Sequence, residues 1–292
     1  MRTKMSGDLE RLISILTEAG IDREDARFDM GLIYSYLGDD DEALNEAVRK
    51  RATGMPVAYI VGRQAFYKEE YKVSPSVLIP RADTELLVES ALQFLGALDL
   101  PAGDVSLITP RSSCLTNLRI LDLCTGTGCV GISILNSLLQ KGINAEVVLT
   151  DISDEALAVA KENITLAATD PSLVRTVKLD VLRGEFPEEL GMFDVVTANP
   201  PYINSDDMKT LDPSVGSFEP SLALAGGNDG LVFYPPICEL SQKCLNKGGA
   251  LIVEHGYDQG EPVSQTLENK GFNNVKVLKD FGNNDRVTFG EK

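Results

Sequence analysis

The spacing of apolar residues divides the chain into an all-helical first part and a long alternation of strands and helices. Over residues 1–55 the apolar positions recur every three or four residues, which is typical of amphipathic helices and not of strands. Three helices are predicted there, with apolar faces made by Leu9, Leu12, Ile13 and Leu16, by Ala26, Met30, Ile33, Tyr34 and Leu37, and by Ala43, Leu44, Ala47 and Val48. Gly20 and Gly38 stand where the first two helices should end.

The next part of the chain changes to short strands and then a single helix. Glycines and prolines punctuate aromatic and β-branched runs in residues 54–80, which predicts a β-hairpin linker. The helix that follows is expected to be capped by Asp83 or Thr84. The polar stretch 99–117 is expected to be an exposed loop with no chemistry of its own.

From residue 118 onward, short apolar runs alternate with helical patterns. Strands are predicted at 118–123, 146–150, 176–179, 193–198, 250–254, 275–278 and 286–289. Helices between strands indicate βαβ units and a parallel sheet covered on both faces, so the predicted fold class is α/β. The last two strands are joined by a short turn only, which fits an antiparallel hairpin because a parallel connection needs a long crossover.

Composition and charge argue against some classes of protein. The chain has 292 residues, of which 43% are hydrophobic and 24% are charged, as in ordinary globular proteins. Acidic residues outnumber basic ones by 44 to 27, and the net charge of −17 argues against stable nucleic-acid binding, which requires Lys and Arg against phosphates. The apolar runs are far shorter than the ~20 residues that span a bilayer, so no membrane partner is expected.

The cysteines and the N-terminus indicate a reducing compartment. The 5 cysteines are odd in number and form no C-x-x-C pair, so neither a disulfide framework nor a metal site is predicted. Buried free thiols are the expected outcome. The first ten residues lack the apolar stretch of a secretory signal, and the Arg- and Ser-rich pattern of a transit peptide is also missing. The predicted location is therefore the cytoplasm.

A glycine-rich turn carries the first candidate chemistry. The run Asp-Leu-Cys-Thr-Gly-Thr-Gly at 122–128 follows the first strand of the α/β part, and its glycines let the backbone approach a ligand closely. Asp151 ends the next strand, where a carboxylate can accept hydrogen bonds from both hydroxyls of an adenosine ribose. Asp180 ends the third strand and can accept from an adenine amino group. These residues alone fit either NAD or S-adenosylmethionine.

A second motif, Asn199-Pro200-Pro201-Tyr202, follows the strand at 193–198. Two consecutive prolines restrict the backbone and hold their carbonyls in set directions. An NH2 group can then donate one hydrogen to the Asn199 side-chain oxygen and the other to the Pro200 carbonyl. Tyr202 can stack on the planar group that carries the nitrogen. The motif therefore predicts a grip on an amide or an aromatic amine.

Together these motifs resemble the amino-methyltransferases that use S-adenosylmethionine, and more specifically the HemK/PrmC family. The similarity covers most of the chain and includes the segments 78–81, 84–85, 219–224, 227–231, 254–256 and 285–287. One departure is Cys124, where the family usually has glycine. A second departure is the stretch 99–117, which is longer than usual for the family.

The resemblance implies a Rossmann-like class I methyltransferase fold, with a seven-stranded, mostly parallel sheet and a small N-terminal all-α bundle. It implies a helical substrate-recognition domain at 1–55, a β-hairpin linker at 56–80 and a methyltransferase domain at 81–292. The implied reaction transfers a methyl group from S-adenosylmethionine to N5 of the glutamine in the Gly-Gly-Gln motif of peptide chain release factors. It leaves S-adenosylhomocysteine and supports translation termination. A monomer is expected.

The resemblance also implies the roles of the motif residues. The catalytic positions are Asn199, Pro200, Pro201 and Tyr202. The cofactor-binding positions are Cys124, Thr125, Gly126, Thr127, Gly128, Asp151, Asp180 and Asn199. His255, the only histidine, is interpreted as structural and not as a catalytic base.

Three alternatives stay open at the level of sequence. An adenine-N6 nucleic-acid methyltransferase would use the same Asn-Pro-Pro-Tyr grip, but such an enzyme needs a basic surface. An NAD-dependent oxidoreductase has no use for that motif. A relative of the fold that only binds a partner would not need both motifs. The N-terminal bundle either grips the protein substrate or caps the catalytic domain.

Overall fold

The computed structural model describes residues 2–98, 103–111 and 116–292. The predicted loop at 99–117 falls partly outside these ranges, and Cys114 lies outside them. Within the described ranges, none of the helices combines the length and the apolarity that crossing a bilayer requires.

The first part of the chain folds into three helices, as predicted from its apolar spacing. They are α1 (Arg2–Glu18), α2 (Arg23–Leu37) and α3 (Asp41–Ala52). The side chains of Asp22 and Asp40 cap α2 and α3 by accepting from backbone N–H groups of the first turn. A shared core is built from Leu12, Ile13, Leu16, Ala26, Met30, Ile33, Leu44, Ala47 and Val48.

The predicted hairpin is present, but a short helix that the sequence reading missed precedes it. Strands β1 (Arg63–Phe66) and β2 (Glu69–Lys72) pair antiparallel. Residues 57–61, read as part of the hairpin linker, form α4 (Val57–Val61) instead. The flanking residues explain the error, because Pro56 and Gly62 suit a turn and equally suit the two ends of a one-turn helix.

The α/β part is a seven-stranded sheet in the order β5-β4-β3-β6-β7-β9-β8. Its strands are β3 (Leu118–Leu123), β4 (Ala145–Asp151), β5 (Val174–Lys178), β6 (Phe193–Ala198), β7 (Leu245–Glu254), β8 (Asn273–Lys279) and β9 (Asp285–Glu291). Strands β3 to β7 are parallel to their neighbours in that group, and β9 runs antiparallel to both β7 and β8. The predicted mostly parallel seven-stranded sheet and its terminal hairpin are confirmed.

Helices cover both faces of the sheet. They are α5 (Glu85–Phe94), α6 (Cys129–Gln140), α7 (Asp154–Leu166), α9 (Tyr234–Cys244) and α10 (Gly260–Asn269). The four-residue α8 (Pro213–Gly216) lies in the long connection between β6 and β7. Ile120 packs into the core under α5 and α6, whereas its neighbour Leu121 packs into the opposite core with α9 and α10. This alternation follows from the two-residue period of a strand, and it explains why the central strands are mostly apolar on both faces.

The topology sets the place of the functional site. After β3 the chain continues to β4 and β5 on one side, and it then returns to β6 on the other side of β3. At such a switch point the connections leave in opposite directions and open a crevice at the carboxyl ends of the strands. The glycine-rich turn after β3 and Asn199 after β6 both lie there.

The hairpin is attached to the glycine-rich turn by one buried side chain, Asn163 of α7. Its oxygen accepts from the Lys72 backbone N–H at 2.6 Å, and its nitrogen donates to the carbonyls of Lys72 at 3.0 Å and Thr127 at 2.9 Å. The Asn163 side chain is fully buried, so its hydrogen bonds to these peptide groups are shielded from water. Its amide therefore connects β2, α7 and the turn after β3.

We expect Asn163→Ala to lower the free energy of unfolding by about 2–4 kcal/mol, because it leaves buried backbone groups without partners. Urea denaturation followed by circular dichroism measures the change. Asn269→Ala, at the exposed end of α10, is the matched control. A loss no larger than that of the control would contradict the role of Asn163.

Candidate active site

A cavity of about 340 Å³ opens at the switch point between β3 and β6, within the size range of small-molecule sites. Its walls come from residues 76–84 before α5, the turns after β3 and β4, residues 179–182 after β5, Asn199 and Pro201 after β6, and residues 220–223 and Phe233. The cavity thus brings together Asp151, Asp180, Asn199 and residues 124–127 of the glycine-rich turn, as their positions at strand ends predict. Gly128, also predicted to bind the cofactor, lies outside the lining and faces Ile132, Ala160 and Leu149.

The glycine-rich turn is held by the buried carboxylate of Asp122. Its Oδ2 accepts from the Thr125 hydroxyl at 2.5 Å and from the Gly131 N–H at 3.3 Å, while its Oδ1 accepts from the Thr197 hydroxyl at 2.7 Å. Burial raises the pKa of Asp122 to about 6, although these three hydrogen bonds favour the carboxylate. Asp122 thereby fixes the turn to α6 and to β6.

Several N–H groups around this turn already have protein partners, which bears on the type of ligand. Asp151 Oδ2 takes the Gly126 N–H at 2.9 Å, Asp122 takes that of Gly131, and the Thr127 hydroxyl takes that of Cys129 at 3.3 Å. Dinucleotide sites leave such groups free at the helix N-terminus for a pyrophosphate. The turn therefore offers little to a phosphate and favours a ligand without one.

The rest of the cavity combines carboxylates with apolar side chains. Asp151 and Asp180 line it, and each uses one oxygen to cap the backbone that follows, at Ser153 and Leu182. The large apolar side chains of Ile152, Leu182 and Leu222 are between 39% and 56% exposed and belong to the same wall. A flat, apolar ring with hydroxyl or amino groups at its edge fits this combination.

Cys124 occupies a backbone position that favours glycine. Its φ is +55°, in the left-handed region, where an L-residue costs roughly 1–2 kcal/mol and glycine does not. This geometry gives a physical reason for glycine, which the sequence resemblance led us to expect at the position. Burial raises the pKa of the thiol well above its usual range, and the charges of Asp151, Asp122 and Asp180 raise it further. The thiol is therefore not an activated nucleophile.

The Asn199-Pro-Pro-Tyr motif is divided between the cavity wall and the protein interior. Asn199 and Pro201 line the cavity, and the Asn199 Nδ2 donates to the Thr84 hydroxyl at 3.2 Å. The Asn199 oxygen accepts no hydrogen bond from the described residues. Pro200 and Tyr202 stand behind the wall, and the Tyr202 hydroxyl donates to Glu254 at 3.4 Å. The stacking role of Tyr202 stays a prediction.

A buried acidic group lies behind Asn199. Glu254, the last residue of β7, is 2% exposed, and burial raises the pKa of its carboxyl group to about 7. Tyr202 is the hydrogen-bond donor to its Oε1, and its Oε2 is buried without a hydrogen-bond partner among the described residues. The positive charge of Arg286 favours the ionised form of the carboxyl group. Arg286 itself pairs with Asp280 at 3.1 Å.

An ion pair closes the wall of the cavity. Arg81 donates to the carboxylate of Glu219, whose other oxygen accepts from the Ile79 N–H at 3.3 Å. The Glu219 side chain is almost completely buried, so the pair holds the segment before α5 against the loop after β6. Tyr59 of α4 supports the same segment through a hydrogen bond of 2.6 Å to the Val77 carbonyl.

His255 has both ring nitrogens bonded inside the protein. Nδ1 lies 2.8 Å from the Gly256 carbonyl, which can only accept, so Nδ1 carries the hydrogen. Nε2 then accepts from the Thr288 hydroxyl at 3.0 Å. Burial lowers the pKa of the ring, which is fully buried. These bonds agree with its interpretation as a structural residue.

Sequence reasoning proposed Thr84 only as a helix cap, and it assigned no role to Arg81, Glu219 or Glu254. Thr84 does stand at the N-cap of α5, but its side chain makes no capping hydrogen bond. The segments that contain them were noted only as similar to the family, and no spacing rule joins residues more than a hundred positions apart. Ile152 and Leu182 were missed because the exposure of an apolar side chain cannot be read from sequence. Their positions next to Asp151 and Asp180 were the available signal.

The sequence of the chain is similar to those of known methyltransferases. A family model described as Methyltransferase small domain matches residues 107–212. The chain is 37% identical to the release factor glutamine methyltransferase of Clostridium acetobutylicum, over 82% of this chain and 76% of that protein. It is also 37% identical to the enzyme of the same name from Pasteurella multocida, over 85% of this chain and 80% of that one.

Among solved structures, the 16S rRNA N2 G1207 methyltransferase of T. Thermophilus, in complex with AdoMet and guanosine, aligns with a TM-score of 0.50 at 19% identity. The alignment covers 79% of this chain and 49% of that one, and it shows a common fold. The predicted class I methyltransferase fold is confirmed. By its similarity to the curated enzymes over most of its length, the chain belongs to the family of release factor glutamine methyltransferases.

Proposed function

We propose that the chain methylates the side-chain amide nitrogen of the glutamine in the Gly-Gly-Gln motif of peptide chain release factors, with S-adenosylmethionine as methyl donor. The observation that carries this proposal is the Asn199 amide at the lip of a carboxylate-lined cavity, with its nitrogen on Thr84 and its oxygen without a protein donor. The 37% identity to release factor glutamine methyltransferases supports it.

The cavity suits S-adenosylmethionine, which supplies an electrophilic methyl group on a positively charged sulfonium when it is bound. Asp151 can accept from the ribose hydroxyls, and Asp180 can accept from the adenine amino group. A Cβ built on Gly126 would meet no atom within 4 Å, so the backbone at this turn is open to a ligand. The negative charge of the aspartates matches a cationic ligand better than a phosphate.

Asn199 and the Pro200 carbonyl are proposed to hold the substrate NH2 group by its two hydrogens. An amide nitrogen is a weak nucleophile because its lone pair is delocalised into the carbonyl. Orientation and electrostatic support therefore have to supply most of the rate enhancement. No strong base is needed before the transfer, since the methylated nitrogen is acidic and loses its proton afterwards.

The substrate is proposed to be a protein and not a nucleic acid. With 27 basic against 44 acidic residues, the composition offers little for the positive surface that a nucleic-acid target requires. Residues 1–55 are proposed as a substrate-recognition domain, 56–80 as its linker and 81–292 as the methyltransferase domain of a monomer. Phe28 and Leu32, one turn apart on α2, are 74% and 36% exposed, which supports a contact surface there.

The direct test is incubation of the enzyme with labelled S-adenosylmethionine and a purified release factor. We expect label in the wild-type factor and none in a factor whose Gly-Gly-Gln glutamine is replaced by alanine. Duplex DNA is assayed in parallel. Transfer to DNA in place of the factor would support the adenine-N6 alternative and overturn the proposal.

We expect Asn199→Ala to lower kcat by about 100-fold or more, as does the loss of a group that acts on the transition state, while cofactor affinity stays within about twofold. Single-turnover kinetics and calorimetric titration with S-adenosylmethionine separate the two effects. Asn269→Ala serves again as the control on an exposed helix end. Turnover retained by Asn199→Ala would contradict the proposed role of Asn199 in holding the substrate NH2 group.

Position 124 offers a test of the cofactor turn. Cys124→Val should destabilise the chain by about 1–2 kcal/mol and weaken the binding of S-adenosylmethionine, because a β-branched residue is a poor fit at positive φ. Cys124→Gly should bind the cofactor at least as tightly as the wild type does. Thermal denaturation and calorimetry check both variants, and equal affinities for all three proteins would contradict this reading of the turn.

A further inference from the structure

We propose that Arg81 binds the carboxylate at the amino-acid end of S-adenosylmethionine, through the edge of its guanidinium group that Glu219 leaves free. The inference rests on the proposed transfer of a methyl group from S-adenosylmethionine to a nitrogen held by Asn199. It concerns the part of the cofactor that Asp151 and Asp180 do not serve, because those two residues are assigned to its ribose and its adenine.

The cavity carries an excess of negative charge, which opposes the binding of a carboxylate. The acidic side chains that line it are those of Asp122, Asp151, Glu155 and Asp180. Among the described residues of the lining, Arg81 is the one with a positively charged side chain. A carboxylate bound among like charges requires an opposite charge close to it. Arg81 is therefore the residue that can balance the acidic end of a zwitterionic ligand.

Glu219 holds the guanidinium group of Arg81 without using all of its donors. Arg81 Nη2 donates to one oxygen of Glu219, and the other oxygen accepts from the Ile79 N–H at 3.3 Å. The Glu219 side chain is 1% exposed, whereas that of Arg81 is 43% exposed. Nε and Nη1 of Arg81 have no protein acceptor among the described residues, although each carries hydrogens to donate. The group is thus fixed on one side and open to a second anion on the other.

The strand order determines where the amino-acid end of the cofactor lies. Asp180 follows β5, Asp151 ends β4, and Asn199 follows β6 on the far side of β3. A cofactor with its adenine at Asp180 and its ribose at Asp151 has to cross the turn after β3 before its methyl group reaches Asn199. The amino-acid chain leaves the same sulfur atom as the methyl group. Its carboxylate is therefore expected on the Asn199 side of the cavity.

One helical turn places Arg81 on that side. The Thr84 N–H donates to the Arg81 carbonyl at 3.1 Å, and the Thr84 hydroxyl accepts from the Asn199 Nδ2 at 3.2 Å. The glycine-rich turn offers fewer donors to a carboxylate, because the N–H groups of Gly126 and Gly131 are already bonded to aspartate side chains. Arg81 thus combines the required charge, free donors and a position near the reacting end.

The test compares S-adenosylmethionine with its decarboxylated form, which keeps the adenosine, the sulfonium and the amino group. Calorimetric titration of the whole chain measures both affinities without a methyl acceptor. We expect Arg81→Gln to weaken the binding of S-adenosylmethionine by about 10- to 100-fold, as the loss of a hydrogen-bonded charge pair does. Binding of the decarboxylated form should stay unchanged or become tighter, because a positive charge is removed from the site of a more cationic ligand.

Three further variants separate a direct contact from an effect on the cavity wall. Glu219→Gln removes the ion pair but leaves the charge of Arg81, so it should keep the wild-type discrimination between the two ligands. Arg63→Gln is the matched control, since Arg63 is 33% exposed, lies 3.9 Å from Glu70 and is outside the cavity lining. Arg81→Lys keeps the charge without the planar fork, and it should recover part of the discrimination. Thermal denaturation without ligand checks that each variant is folded, and Arg81→Lys carries the comparison if Arg81→Gln is not.

The outcomes distinguish this inference from the proposed function. If Arg81→Gln weakens both ligands equally, Arg81 only supports the wall and the inference is overturned. If it changes neither affinity but raises KM for the release factor, Arg81 faces the methyl acceptor, and the inference is again overturned while the function stands. A wild-type chain that does not bind S-adenosylmethionine would overturn the proposed function itself, and this inference with it.

Discussion

The arrangement of the site depends on one buried carboxylate, that of Asp122. It receives hydrogen bonds from the turn that follows β3, from the first turn of α6 and from Thr197 of β6. Thr197 stands two residues before Asn199. The Asp122 side chain therefore fixes the position of the glycine-rich turn relative to Asn199. Two adjacent parallel strands would share a register in any case. The three bonds to Asp122 extend that register into the loops, where no ladder of backbone hydrogen bonds exists.

Much of this architecture could be predicted from local patterns, and the failures have a common physical origin. The strands, the main helices and the residues at strand ends follow from periodicity and from the rule that parallel strands present their carboxyl ends together. The short helix α4 was missed because Pro56 and Gly62 end a turn and a one-turn helix equally well. The hydrogen bond between Thr84 and Asn199 was missed because it depends on tertiary packing, which no spacing rule encodes. Cys124 could be recognised as unusual, but only its backbone angle explains why glycine suits the position.

The cavity is completed by a segment that precedes the sheet in the chain. Residues 76–84 form one wall, and the ion pair between Arg81 and Glu219 joins them to the loop after β6. The boundary proposed between linker and methyltransferase domain at residue 80 therefore runs through the wall of the cavity. A sheet with its helices alone would leave the ligand side open. The apolar cluster around Tyr59, Val73, Val77 and Ile79 keeps this segment against α7, and so the proposed linker contributes to the cavity wall.

The buried amide of Asn163 has a consequence for how such a chain can change over evolutionary time. One side chain serves peptide groups of the hairpin and of the cofactor turn at once. A recombination event that exchanged the N-terminal part together with its hairpin would keep Asn163 in α7 but present it with a new strand backbone. Only strands that offer one N–H and one carbonyl at the same place could be accepted. The N-terminal part is therefore less interchangeable than its separate core suggests. Changes in its hairpin are constrained by the same Asn163 side chain that holds the glycine-rich turn.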